Sequence, residues 1–162
     1  MSPNNSRILA IDPGTRNIGV AVLQNGKLLY HGVQVIRGRK SPHETLREGR
    51  RIILRLIKDF RPQTLAVEKA YFRNNKNRYS SLLNIFVDEI FALGKRKRLR
   101  IIGYAPSTVK KVICGNGRAS KQEVARAVIT RFPELKVYLT QDRAWKESYH
   151  QHMFDAVAVG NI

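Results

Sequence analysis

Arg7-Ile8-Leu9-Ala10-Ile11-Asp12-Pro13-Gly14-Thr15-Arg16-Asn17-Ile18-Gly19-Val20-Ala21-Val22-Leu23 reads as an apolar strand, a tight turn and a second apolar strand. The first strand ends on a carboxylate, Asp12. Pro13-Gly14 then turns the chain, since Pro presets φ and Gly tolerates a positive one. A carboxylate at the end of a buried strand is costly unless something pairs with it. A metal cation is the obvious partner, and Pro-Gly keeps its approach free of bulky side chains. The bland alternative is a hairpin turn whose acid is merely solvated.

Working outward, Asn25-Gly26 is a strong hairpin signal and predicts a third strand over Lys27 to Ile36. Arg37 to Lys40 is a basic loop. Ser41-Pro42-His43-Glu44 has the N-cap, the N1 proline and the acid of a capping box. The helix it starts carries Leu46, Ile52, Ile53, Leu56, Ile57 and Phe60 at helical spacing, with Arg47, Arg50, Arg51 and Arg55 as a solvated face. Thr64-Leu65-Ala66-Val67-Glu68 is a second apolar strand that ends on an acid. Two such strands, each delivering one carboxylate, suggest a shared site.

Tyr71-Phe72-Arg73-Asn74-Asn75-Lys76-Asn77-Arg78 interleaves aromatics, cations and amides. That mixture suits stacking on bases and holding phosphates, although aromatics also pack in cores. A helix is expected from Ser80 to Gly94, with Gly94 as its C′ residue. The basic run Lys95 to Arg100 follows, then a fifth strand, Ile101 to Ala105. Pro106-Ser107 opens a short helix over Thr108 to Ile113. Ser120-Lys121-Gln122-Glu123 is another capping box, and Lys110, Lys111, Arg118 and Lys121 surround the loop before it. These are candidate phosphate contacts. Val137 to Leu139 reads as a small extended piece. From about Arg143 a final helix follows, on which His152 and Asp155 share a face with Cβ atoms roughly 5–6 Å apart.

The chain has 162 residues, which fits a single domain (1–162) with a real core. Its 30 Lys and Arg against 12 Asp and Glu give a net charge of +18, more than solubility requires. A polyanion is the simplest partner, and nucleic acid the commonest. An anionic membrane fits less well, because no stretch reads as a spanning helix or a clean amphipathic anchor. The one cysteine, Cys114, excludes an internal disulfide and fits a reducing compartment. Met1 to Ser6 lacks the apolar run of a signal peptide. A cytoplasmic, nucleoid-associated location is the expectation.

Here the residues resemble the RuvC family of Holliday junction resolvases, in the ribonuclease H-like superfamily. The parts that carry the resemblance are Ile11-Asp12-Pro13-Gly14-Thr15, Ala66-Val67-Glu68, Ser107-Thr108-Val109-Lys110 and His152-Met153-Phe154-Asp155-Ala156. It implies an α/β fold with a five-stranded mixed sheet flanked by helices. It also implies a homodimer that binds branched DNA, a four-way junction, and nicks two strands symmetrically. By resemblance, Asp12, Glu68 and Asp155 fall on the family's catalytic acids. His152 falls on the fourth site position, which is Asp in many members. Tyr71 or Phe72 falls on a junction-stacking aromatic, and Lys110 and Lys121 fall near supporting cations. Phosphodiester hydrolysis suits these groups: two hard cations about 3.5–4 Å apart, Mg²⁺ or Mn²⁺, activate water and relieve phosphoryl charge. In this reading Asp12 bridges both ions, Glu68 and Asp155 each help hold one, and His152 ligates or handles a proton. Imidazole favours Mn²⁺, and activity is expected to fall as His152 protonates toward pH 5–6.

The stretch from Pro133 to His152 is longer than in typical members and holds Trp145 and Tyr149. Two other readings remain open. The YqgF family, which processes ribosomal RNA precursors, shares the Asp-Pro-Gly opening. A noncatalytic nucleic-acid-binding module would keep the fold and the charge, but would leave three grouped acids unexplained.

Overall fold

The computed structural model describes residues 5–38, 40–69, 78–139 and 144–162, without the side chains of 78–80 and 144–148. The opening segment forms β1 (Arg7–Asp12), β2 (Asn17–Gln24) and β3 (Lys27–Val35), each antiparallel to the one before. Asn25 and Gly26 take φ of 52° and 73°. Two positive φ angles in a two-residue loop match the twist of the flanking strands, which is why Asn-Gly stands there. Next come α1 (Pro42–Phe60), β4 (Thr64–Glu68), α2 (Arg78–Arg96) and β5 (Arg100–Tyr104). β4 pairs parallel with β1, and β5 pairs parallel with β4, so the mixed sheet runs β3-β2-β1-β4-β5. The chain continues with α3 (Pro106–Cys114), α4 (Lys121–Arg131), a 3₁₀ turn (Pro133–Leu135), α5 (Lys136–Leu139) and α6 (Ala144–Gly160). The five-stranded mixed sheet and its flanking helices match the fold expected from the sequence.

Period-two alternation splits the strands between two cores. Leu9, Ile11, Val20, Val22, Leu65 and Val67 point to α1 and α2, where Ile53, Phe86 and Ile90 receive them. Ala10, Ala21 and Ala66 point the other way, toward α4 and α6. The small residues on that side let α6 lie close to the sheet. A Cβ on Gly19 of β2 would come within 1.8 Å of the backbone oxygen of His152, and one on Gly160 within 2.4 Å of Leu23. Met153, Phe154, Ala156, Val157, Ala158 and Val159 are all buried, as expected for a helix enclosed on most sides.

Three local expectations change. Gly94 is not a C′ residue: α2 runs on to Arg96, and the left-handed position is Arg98, with φ 57°. Gly94 is instead a packing glycine, with Ile101 and Leu65 each 3.0 Å from where its Cβ would be. At α1 the capping box is displaced. Ser41 Oγ accepts from the Glu44 N–H (3.1 Å), but the Glu44 carboxylate takes the Lys40 N–H (2.9 Å). The box at α4 is complete, with Ser120 Oγ accepting from Glu123 N (3.2 Å) and Glu123 accepting from Ser120 N (2.6 Å). Val137 to Leu139 is helical rather than extended. Leu135 is fully buried just before it, and the Tyr138 ring packs between His31 (5.5 Å) and His150 (4.8 Å). That tertiary contact overrides the β preference of Val-Tyr-Leu.

Candidate active site

β1 and β4 run parallel with Ala10 beside Ala66 and Ile11 beside Val67. The next residues, Asp12 and Glu68, therefore leave the sheet side by side on the α6 face. Across β2, Asp12 pairs with Gly19, where the α6 backbone comes so close that a Cβ would strike the His152 carbonyl. That approach brings His152 to Asp12, with Nδ1 to Oδ2 at 2.8 Å. Asp155 follows one helical turn later, and Gln151 Nε2 donates to its Oδ1 (2.9 Å).

Asp12, Glu68, His152 and Asp155 line one cleft of about 320 Å³, together with Lys110, Lys121 and Gln151. Pro106, Val109 and Val124 form its apolar walls. Of the four expected cations near the Gly115–Ala119 loop, Lys110 and Lys121 reach this cleft and Lys111 and Arg118 do not. The Arg118 backbone N–H donates to Asn116 (3.0 Å). Tyr71, Phe72, Arg73 and Lys76 lie outside the described residues, as does the side chain of Arg78. Gln151 was missed in the sequence. Its signal is its place four residues before Asp155, one turn back on the same face.

The electrostatics are those of crowded acids. Burial pushes the Glu68 carboxyl up to about 8, and the charges of Asp12 and Asp155 add to the effect. Lys110 and Lys121 pull in the opposite direction. Asp155 rises to about 6, again chiefly through burial and then Asp12, with Gln151 opposing. His152 is raised above its usual value by its hydrogen bond to Asp12, against its own burial. No three described His, Cys, Asp or Glu side chains yet converge on one ion. In type and charge, however, the set fits a hard divalent cation. Oxygen donors dominate, and a cation would relieve the repulsion that keeps Glu68 protonated.

Gly19 sets how close α6 comes. Gly19→Ala must push the His152 backbone outward, and overpacking of this kind costs about 1–3 kcal/mol. A melting temperature several degrees lower is expected, with the His152 titration, followed by NMR, falling back toward that of a free imidazole. An unchanged His152 titration would show that the close approach does not hold the pair.

Known proteins share both the sequence pattern and the fold. The family model described as "Crossover junction endodeoxyribonuclease RuvC" matches residues 8–159. A protein of that name from Prochlorococcus marinus is 34% identical over 138 residues, covering 79% of this chain and 86% of the relative. Thermus thermophilus RuvC, solved in complex with a Holliday junction substrate, superposes with a TM-score of 0.72 at 22% identity, covering 96% of this chain and 90% of that one. The yeast mitochondrial Holliday junction resolvase Ydc2 gives the same TM-score at 16% identity, over 99% of this chain and 79% of that one. At such identities the two solved structures speak for the fold.

Proposed function

The chain belongs to the RuvC family of crossover junction endodeoxyribonucleases, and we propose that it cuts four-way DNA junctions by hydrolysing phosphodiesters at the Asp12–Glu68–His152–Asp155 cleft. The observation that carries this reading is the gathering of three carboxylates from β1, β4 and α6 in one cleft of a chain with net charge +18. Nothing in the packing rewards that repulsion. Divalent cations would offset it.

Asp12, Glu68 and Asp155 would hold the divalent ions, with Asp12 central because it stands between Glu68 in the sheet and His152 on α6. Mg²⁺ or Mn²⁺, two ions per site, would supply an activated water and neutralise charge on the phosphoryl oxygens. Lys110 and Lys121 line the same cleft and would hold the phosphate. Gln151 orients Asp155 through its 2.9 Å hydrogen bond. His152 handles a proton at Nδ1, where it now meets Asp12. That hydrogen bond raises its titration above the usual imidazole value. Tyr71 or Phe72 is assigned to the DNA through the family resemblance, and Arg73, Lys76 and Arg78 through the mixture of aromatics and cations in their loop. A homodimer would present two such clefts for paired nicks. No helix among the described residues is long and apolar enough to cross a membrane.

Cation binding must displace protons. Glu68 keeps its proton to about pH 8, and a metal ligand must be free of it. Calorimetric titration with Mg²⁺ or Mn²⁺ at pH 7, in buffers of different ionisation enthalpy, is expected to show release of about one proton. Heats independent of the buffer would remove Glu68 from the ligand set.

The deciding experiment is cleavage of a mobile four-way junction beside duplex, flap and single-strand substrates and a structured RNA. Symmetric nicks confined to the junction would support the assignment. Equal cutting of flaps or RNA would leave a nuclease with another substrate, and tight binding without cutting a binding module.

A further inference from the structure

The turn that follows Asp12 has two sides. On the α6 side lie the acids. On the α1–α2 side lies a larger open cleft, about 500 Å³, lined by Thr15, Arg16, Arg37, Lys40, Thr45 and Leu82. Both clefts sit at the same end of the sheet, because Arg16 follows the end of β1 and Arg37 follows the end of β3. These two strands run in the same direction, each antiparallel to β2.

Three cations from two separate segments therefore converge on one hollow. Their side chains are exposed, but their backbones are anchored. The Ile36 N–H donates to the Arg16 carbonyl (2.8 Å), and Ile36 itself is fully buried. That bond ties the Arg16 turn to the segment bearing Arg37. Thr45 is buried at the first turn of α1, and its hydroxyl donates to the Ser41 carbonyl (3.1 Å). Among the described residues, no ion pair engages Arg16, Arg37 or Lys40. The Glu44 carboxylate is occupied by the Lys40 backbone N–H. Three cations beside the one carboxylate of Glu44 leave a net positive charge in a concave surface, which raises the local potential and selects an anion. Two guanidiniums with an ammonium suit the oxygens of a phosphodiester.

We propose that this cleft is a second phosphate seat for the DNA, holding a backbone phosphate on the far side of the Pro13–Arg16 turn from the acids and so setting which linkage lies over Asp12. The inference rests on the DNA-cleaving function proposed above. Arg16, Arg37 and Lys40 are positioning residues in this scheme, because they touch a phosphate that is not cut.

The test is equilibrium binding of a fluorescent four-way junction in EDTA across a salt series. It compares wild type with Arg16→Ala/Arg37→Ala/Lys40→Ala and with the charge-keeping Arg16→Lys/Arg37→Lys. Each phosphate neutralised contributes about 0.9 to the slope of log K against log salt, so losing this one seat is expected to lower the slope of the triple variant by about 1. Its affinity near 0.1 M salt is expected to fall at least about tenfold, while the lysine variant keeps the wild-type slope. A single neutral methylphosphonate linkage, moved along the strand, locates the seated phosphate. At one position beside the cut it is expected to weaken the wild type and leave the triple variant indifferent. If wild type binds and cuts the junction while the triple variant matches it in affinity and slope, the second seat is overturned and the nuclease assignment stands. If wild type neither binds nor cuts junctions, the functional assignment fails and this proposal falls with it.

Discussion

Asp12→Asn is expected to reduce strand cleavage by at least about 10³-fold while leaving the fold and junction binding intact, as scored by single-turnover cleavage in Mg²⁺ or Mn²⁺ beside binding in EDTA. The substitution keeps the shape and removes one charge. The amide oxygen can still accept from His152, so the 2.8 Å contact that docks α6 survives. What disappears is the carboxylate shared by every other group in the cleft. Asp12 helps raise both Glu68 and Asp155, so each should titrate lower in the variant. That shift, followed by NMR, shows that the charge was removed without disrupting the site. Cleavage within tenfold of wild type would exclude Asp12 as a central ligand.

Glu68→Gln is expected to do two opposite things: abolish cleavage and stabilise the metal-free protein at alkaline pH. The sign follows from linkage. In the unfolded chain this carboxyl ionises near 4.5, whereas in the fold it holds its proton to about 8. Between those values the unfolded state has released a proton that the folded state keeps. The folded state is therefore progressively disfavoured as pH rises through that window, and the loss levels off above about pH 8. The penalty is about 5 kcal/mol as an upper bound, since each pH unit of displacement corresponds to about 1.4 kcal/mol. Glutamine carries no such proton. Its melting temperature should exceed that of wild type by several degrees at pH 8 and converge with it near pH 4.5, with divalent ions raising only the wild type. A parallel pH dependence of the two proteins would show that Glu68 is not strained by its neighbours. An enzyme that holds like charges together gives up stability for function at that place.

Most of this arrangement was legible in the chain. Strands that end in Asp12 and Glu68, and the pair His152 and Asp155 three residues apart, are local patterns. Period two and period 3.6 each place a side chain on a face. What sequence did not yield was set by neighbours distant in the chain. Gly94 looks like a terminator because glycine usually ends helices, yet here it makes room for Ile101 and Leu65. Val137 to Leu139 has strand chemistry but turns helical where Tyr138 meets His31 and His150. The hollow at Arg16, Arg37 and Lys40 was hidden for the same reason. Its cations come from either side of a hairpin, and the β2–β3 pairing, extended by the Ile36–Arg16 bond, brings them together.

The bond between His152 and Asp12 joins residues 140 apart in the chain. During synthesis, Asp12 and Glu68 leave the ribosome on the order of ten seconds before His152 and Asp155 at bacterial or eukaryotic elongation rates. Through that interval the nascent sheet carries two acids without their partners, and the groove meant for α6 is open. A half-made chain, for all its positive charge, lacks the complete cleft. Competence arrives in one late event, when α6 settles into the groove of small side chains on β1 and β2. Such long-range closure is slow by nature, so recovery of nicking after dilution from denaturant should lag the return of sheet structure.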